Sequence, residues 1–224
     1  MYGALLAVHI VAGFTALITA LVAAVTPKGA RGHVYAGRVF VLGMAVIFLT
    51  ALPMTLLKPN LFLLLVAIFS FYLALTGWLR ARNGRGRPTP IEWGAAGVMM
   101  LAAVVMGARG LLLVGRGESM GTVLLVFGGI GGALAVLDVH ALRTQGYTGT
   151  TRIVAHLTRM LAGTIATVTA FAVVNVRIEP RVIVWLAPTV MLTPVIVYWN
   201  VRVRRAARSA PALDVAAPKG RLLR

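Results

Sequence analysis

The sequence predicts an all-α integral membrane protein: a bundle of seven transmembrane helices with the N-terminus outside and the C-terminus in the cytoplasm. Three observations predict this fold class. Of the 224 residues, 59% are hydrophobic and only 12% are charged, which is too apolar for a water-soluble domain of this size. The apolar residues form continuous runs of about 20 residues, the length of a membrane-spanning helix. Basic residues are concentrated beside alternate breaks between these runs.

Each predicted span is an apolar run bounded by residues that break helices. Long runs without alternation favour helices over a barrel, because backbone groups in lipid need partners within the same segment. The first run follows Met1 without a basic segment and has about the length of the bilayer core, so we interpret it as an uncleaved helix. The predicted spans are residues 3–26, 37–57, 61–79, 93–115, 120–142, 153–176 and 182–201.

The distribution of Lys and Arg predicts the orientation. The chain has 22 Lys and Arg against 5 Asp and Glu, a net charge of +17. With the N-terminus outside, 16 of the basic residues fall in cytoplasmic loops and the tail, and 4 fall in the outside loops. Cytoplasmic loops of membrane proteins carry an excess of Lys and Arg. The asymmetry therefore predicts an N-out, C-in chain in a bacterial inner membrane.

The same charge pattern divides the chain and limits its partners. Residues 1–202 are predicted to form the seven-helix domain, and residues 203–224 a basic, disordered cytoplasmic tail attracted to anionic lipid headgroups. The basic residues form no separate folded domain, which argues against a nucleic-acid partner. A homo-oligomer or a partner subunit in the membrane is compatible with the pattern. Cysteine is absent, so thiolate metal sites are excluded.

Ionisable residues inside spans are costly and are candidate functional residues by default. Three histidines, His33, His140 and His156, share a predicted depth near the cytoplasmic face, with Arg38 and Arg159 close by in the sequence. This set is the predicted polar site.

Two further polar residues lie within predicted spans. His9 is in the outer part of the first span, and Asp138 is near the end of the fifth. Because a helix turns about 100° per residue, Asp138 and His140 project about 200° apart and cannot share one site on a regular helix. His156 and Arg159 do share a helix face.

Several roles are open for the predicted histidine site. Three imidazoles could bind zinc and leave an open position for a water. Two could ligate a b-type haem, with Arg38 and Arg159 among the candidate partners of its propionates. The histidines could also relay protons or contact a substrate, or could simply lie in the headgroup zone. The run Gly128–Gly132 would admit either a close helix or a flat cofactor.

A short motif carries a resemblance to a known family. Residues 32–41 contain His33, Gly37 and Arg38 in the pattern His-x-x-x-Gly-Arg, preceded by His9 in the first span. This resembles an uncharacterised bacterial family of predicted multi-pass membrane proteins, a domain of unknown function, over about residues 5–200. The resemblance implies an inner-membrane location and histidine-bearing helices, and it implies no activity.

Two functional hypotheses follow. In the first, the chain holds a haem or a metal ion at the cytoplasmic-side histidines. In the second, it is a transporter or an accessory membrane subunit whose histidines relay protons or contact a substrate. No phosphate-binding loop or His-Glu-x-x-His pair occurs, and the sequence identifies no enzymatic reaction.

Overall fold

A computed structural model describes residues 1–144 and 146–209. These residues form seven helices and contain no strand, and each helix is long and apolar enough to cross a membrane. The predicted all-α class and the predicted number of helices are therefore confirmed for this part of a multi-pass membrane protein. The helices are α1 (Tyr2–Val25), α2 (Arg31–Leu57), α3 (Leu61–Arg82), α4 (Pro90–Gly115), α5 (Met120–Arg143), α6 (Gly149–Asn175) and α7 (Val182–Ser209).

Several helices extend beyond the predicted apolar spans. α2 begins at Arg31 rather than at residue 37, and α3 continues to Arg82 rather than ending at residue 79. Apolar runs mark the hydrocarbon layer, whereas a helix continues into the headgroup zone while its residues remain good helix formers. The boundary predicted after residue 202 likewise falls inside α7, because residues 203–209 are helical. The rest of the predicted tail, residues 210–224, lies outside the described residues.

The helices pack as three neighbouring pairs around α3. α1 packs against α2, α4 against α5, and α6 against α7, while α3 contacts α2, α4, α5 and α6. The largest apolar core lies between α3, α4 and α5 and includes Leu73, Met99 and Phe127. Trp185 of α7 also belongs to this core and is only 9% exposed.

Small residues allow α4 and α5 to approach closely. A Cβ atom added at Gly121 would lie 2.6 Å from the Gly110 carbonyl oxygen, and one at Gly128 would lie 2.8 Å from the Met106 Cβ. Side chains of α4 therefore fill the groove along the Gly128–Gly132 run. Of the two roles expected for this run, the structure shows helix packing.

One end of the bundle carries most of the basic residues. It contains the α1–α2, α3–α4 and α5–α6 connections and the end of α7, and we call it the basic end. Contacts join these segments: the Arg152 guanidinium donates to the carbonyls of Arg80 and Ala81, and the Lys28 ammonium lies 5.9 Å from the Trp199 ring centroid. The segments of the basic end therefore contact one another and are not separate loops.

Candidate functional site

A group of four buried charged side chains lies near the basic end, where α3, α4, α5 and α6 meet. We call this group the ionic cluster. None of its side chains is more than 3% exposed. Its members are Arg80 of α3, Glu92 of α4, Asp138 of α5 and Arg159 of α6.

Asp138 is the centre of the ionic cluster. Its Oδ1 atom accepts hydrogen bonds from Arg159 Nη2 and from the Tyr147 hydroxyl, the latter at 2.8 Å. Arg80 Nη2 lies 3.3 Å from the same oxygen, and the Tyr72 hydroxyl donates to Oδ2 at 2.6 Å. Side chains from two helices and one connection thus converge on a single carboxylate, which keeps Asp138 inside the bundle.

Glu92 joins the cluster to the start of α4. Arg80 Nη1 donates to Glu92 Oε1, while the backbone N–H and the hydroxyl of Thr89 donate to Oε2 at 2.8 and 3.0 Å. The Thr89 hydroxyl in turn accepts the Glu92 N–H, which completes a capping box. Glu92 therefore caps the first turn of α4 and also neutralises Arg80, and a carboxylate is favoured at a helix N-terminus.

The two guanidinium groups retain unused donors. Among the described residues, Arg80 Nε, Arg80 Nη2 and Arg159 Nε are buried and have no hydrogen-bond partner. The carboxylates, in contrast, accept hydrogen bonds on every oxygen. The cluster therefore has more hydrogen-bond donors than acceptors.

Tyr147 covers the cluster from the α5–α6 connection. Its ring centroid lies 4.2 Å from the Arg80 guanidinium carbon and 5.5 Å from that of Arg159. Burial raises the pKa of its hydroxyl and the charge of Asp138 raises it further, although Arg159 opposes the shift. The neighbouring Gly146 has a φ of +67°, and a Cβ there would clash with the Gly86 backbone, so glycine is required to bring Tyr147 into place.

The three histidines of the predicted site differ in burial and in contacts. His156 Nδ1 donates to the Gly77 carbonyl at 2.8 Å, and His33 Nδ1 donates to the Ala23 carbonyl at 3.0 Å. Both rings are half-buried. His140 is exposed on the bundle surface, and so is Arg38.

The remaining predicted residues lie in different parts of the bundle. His9 hydrogen-bonds to Thr50 of α2 at 2.9 Å, away from the basic end. Asp138 is buried while His140 is exposed, which agrees with the helical geometry of the sequence. In the described residues, no group of three or more His, Cys, Asp or Glu side chains is placed to hold a metal ion. The structure thus brings Asp138 and Arg159 together and leaves the three-histidine set apart.

Sequence reasoning missed four residues of this site. Arg80 falls one residue beyond the predicted span 61–79, although it lies four and eight residues after Thr76 and Tyr72 and so shares their helix face. Glu92 is one of only five acidic residues and follows Thr89 at capping-box spacing, which is a usable signal. Tyr72 and Tyr147 have no comparable pattern, since one lies in an apolar run and the other in a short connection.

The fold and this geometry define the class: a multi-pass membrane protein with a charge-balanced ionic cluster buried among its spans. In comparisons with known proteins, no family model, no curated protein and no solved structure matches this chain.

Proposed function

We propose that this chain is a proton-linked transporter of the bacterial inner membrane, in which the ionic cluster contacts the proton and the solute. The observation that carries the proposal is the burial of two guanidinium and two carboxylate groups between four membrane-crossing helices. Ionisable groups inside spans are costly and mark substrate and proton pathways. Buried ion pairs also stabilise a protein no better than well-packed apolar side chains do, so stability alone does not account for the cluster.

The chemistry of the cluster suits proton exchange. Tyr72 and Tyr147 both donate to Asp138, so a carboxylate and two hydroxyls form one connected path. Tyr147 lies in the connection at the basic end, and it is therefore the member nearest to the aqueous phase on that side. A proton arriving at the basic end could reach Asp138 through this path.

The basic end is the cytoplasmic side in this proposal. Exposed Arg82, Arg85, Arg87 and Arg143 lie there, and few basic residues lie in the connections at the other end. This bias orients helices with the basic loops in the cytoplasm and attracts anionic headgroups to the end of α7. The N-terminus is then outside.

Solute-driven proton uptake by proteoliposomes tests the proposal. Vesicles containing a pH-sensitive dye would receive small acidic, basic and neutral solutes in turn, with protein-free vesicles as the blank. We expect at least one solute to drive uptake in the wild-type protein, and Asp138→Asn to slow it by about tenfold or more. His140→Ala is the matched control, because this residue lies on the same helix turn but is exposed.

Two results would contradict the proposal. One is wild-type uptake no faster than the blank for every solute. The other is full activity in Asp138→Asn, provided that circular dichroism shows native helicity for the variant.

A second candidate function is haem or metal binding at His33 and His156. The observation that favours it is the orientation of both rings by an Nδ1–H bond to a backbone carbonyl, which in metal-ligating histidines leaves Nε2 available. An absorption spectrum of purified protein tests it. A Soret band that shifts on reduction and disappears in His156→Ala is expected, or bound zinc by elemental analysis; a colourless, metal-free protein would reject the idea.

A further inference from the structure

We infer that the transported solute is a small soluble anion with a carboxylate or phosphate group, bound by the unused guanidinium edge of Arg80. This inference rests on the proposed function and gives its substrate class.

The hydrogen-bond balance of the ionic cluster points to an anion. Arg80 is 2% exposed, and its Nε and Nη2 atoms have no hydrogen-bond partner among the described residues. Nη2 lies 3.3 Å from Asp138 Oδ1 but does not form a hydrogen bond with it. Arg159 Nε is also unpartnered, so the missing groups are acceptors. A guanidinium fork matches the two oxygens of a carboxylate or phosphate.

A depression on the surface of the basic end lies beside Glu92, the partner of Arg80. This depression lies between α3 and α4 and is lined in part by Arg82, Thr89 and Glu92. Exposed Arg85 and Arg87 lie in the connection beside it, and no salt bridge to them occurs in residues 1–144 and 146–209. Uncompensated positive charge around a cleft concentrates anions there.

Charge balance couples the anion to a proton. The cluster has two positive and two negative side chains, so a bound monoanion would leave one uncompensated negative charge in a low-dielectric site. A proton that binds with the anion, on Asp138 or Glu92, restores neutrality. Asp138 is faced by Tyr72 and Arg80 from α3, Arg159 from α6, and Tyr147 from the α5–α6 connection. Uptake of one proton makes the affinity for a monoanion rise by about tenfold for each unit fall in pH.

Ligand-induced stabilisation of the detergent-purified protein tests this inference. The probes are sodium lactate and sodium phosphate, each compared with sodium chloride at equal ionic strength. We expect both probes to raise the unfolding midpoint of the wild-type protein, and lactate to act at lower concentration as the pH falls. Arg80→Lys keeps the charge but lacks the fork, so it should lose the stabilisation. Arg109→Ala, at an exposed position of α4, is the control that should keep it.

The outcomes separate this inference from the proposed function. If neither probe stabilises the wild-type protein, or if only basic or neutral solutes drive proton uptake, the anion inference fails while the transporter proposal stands. If the anions bind but no solute drives uptake, the transporter proposal fails. Stabilisation by phosphatidylglycerol in nanodiscs, but not by lactate or phosphate, would overturn the assignment to a soluble anion. Should Arg80→Lys not fold, the wild-type pH dependence and the solute series still decide the matter.

Discussion

Two polar regions of the bundle differ in how completely their hydrogen bonds are used. In α1 and α2, His9 and Thr50 form one hydrogen bond of 2.9 Å, and the Thr50 hydroxyl also bonds to the Val46 carbonyl at 2.8 Å. In the ionic cluster, four charges are almost completely buried, yet three guanidinium nitrogens have no hydrogen-bond partner among the described residues. The first arrangement is what a contact that joins two helices requires. The second leaves binding capacity unused, which is typical of a site for a ligand.

The largest expected effect comes from removing one charge of the cluster. Arg159→Met would leave Asp138 with less compensation in a buried position, and breaking a buried pair costs about 3–5 kcal/mol of unfolding free energy. Equilibrium unfolding in mixed detergent micelles, followed by tryptophan fluorescence, measures this cost. Arg109→Met is the control, since Arg109 is exposed. A loss below about 1 kcal/mol, the range of surface pairs, would show that the cluster is not a coupled buried unit.

The next largest effect on unfolding free energy is expected where α4 packs against α5. This packing brings Glu92 and Asp138 to the same end of the bundle. Gly128→Ala would place a methyl group 2.8 Å from the Met106 Cβ, and such overpacking costs about 1–3 kcal/mol. At the neighbouring Gly129 a Cβ meets nothing within 4 Å, so Gly129→Ala should stabilise α5 by up to about 1 kcal/mol. The same unfolding assay compares the two. Equal effects would mean that α4 does not pack along this groove.

Tyr147 makes the stability of the protein depend on pH in the alkaline range. Burial raises the pKa of its hydroxyl above the ordinary 10.0, so the unfolded chain ionises first as the pH rises. The protein should therefore lose stability above about pH 10, until Tyr147 also ionises in the folded state. Tyr147→Phe removes one hydrogen bond to Asp138, at a cost of about 1 kcal/mol near neutral pH, and should flatten the alkaline decline. Unfolding midpoints between about pH 8 and 12 measure both effects. An identical decline in the variant would contradict this role.

The smallest effect is expected at the hydrogen bond between His9 and Thr50. His9→Leu removes one hydrogen bond between α1 and α2, and such bonds within membranes are worth about 0.6 kcal/mol on average. Proton uptake should be unchanged in this variant. Uptake reduced as strongly as in a cluster variant would erase the distinction between the two regions.

The sequence predicts the fold more fully than it predicts the site. Apolar runs of the length of a bilayer, separated by Pro and Gly, are enough to predict the helices, because lipid leaves the backbone no other arrangement. The ends of the helices are less predictable, as α2 and α7 show, since helices continue into the headgroup zone. The cost of a charge in lipid marks Asp138 as a candidate, and its burial opposite the exposed His140 follows from helical geometry.

The rest of the site depends on packing between helices that are distant in sequence. Arg80 lies 79 residues before Arg159, and no local pattern shows that both reach Asp138. A charge at the end of a span looks like a loop residue until its partner is known. The histidine set illustrates the same limit, because a shared predicted depth in the membrane does not fix burial: His33 and His156 are half-buried, whereas His140 is exposed.

The most direct test compares Asp138→Asn with His156→Ala in one assay of solute-driven proton uptake, using proteoliposomes matched for protein content. Both residues lie near the basic end, but only Asp138 belongs to the ionic cluster. We expect a loss of about tenfold or more for Asp138→Asn and a change of less than about threefold for His156→Ala. A folded Asp138→Asn variant with full uptake, beside an inactive His156→Ala variant, would contradict this expectation.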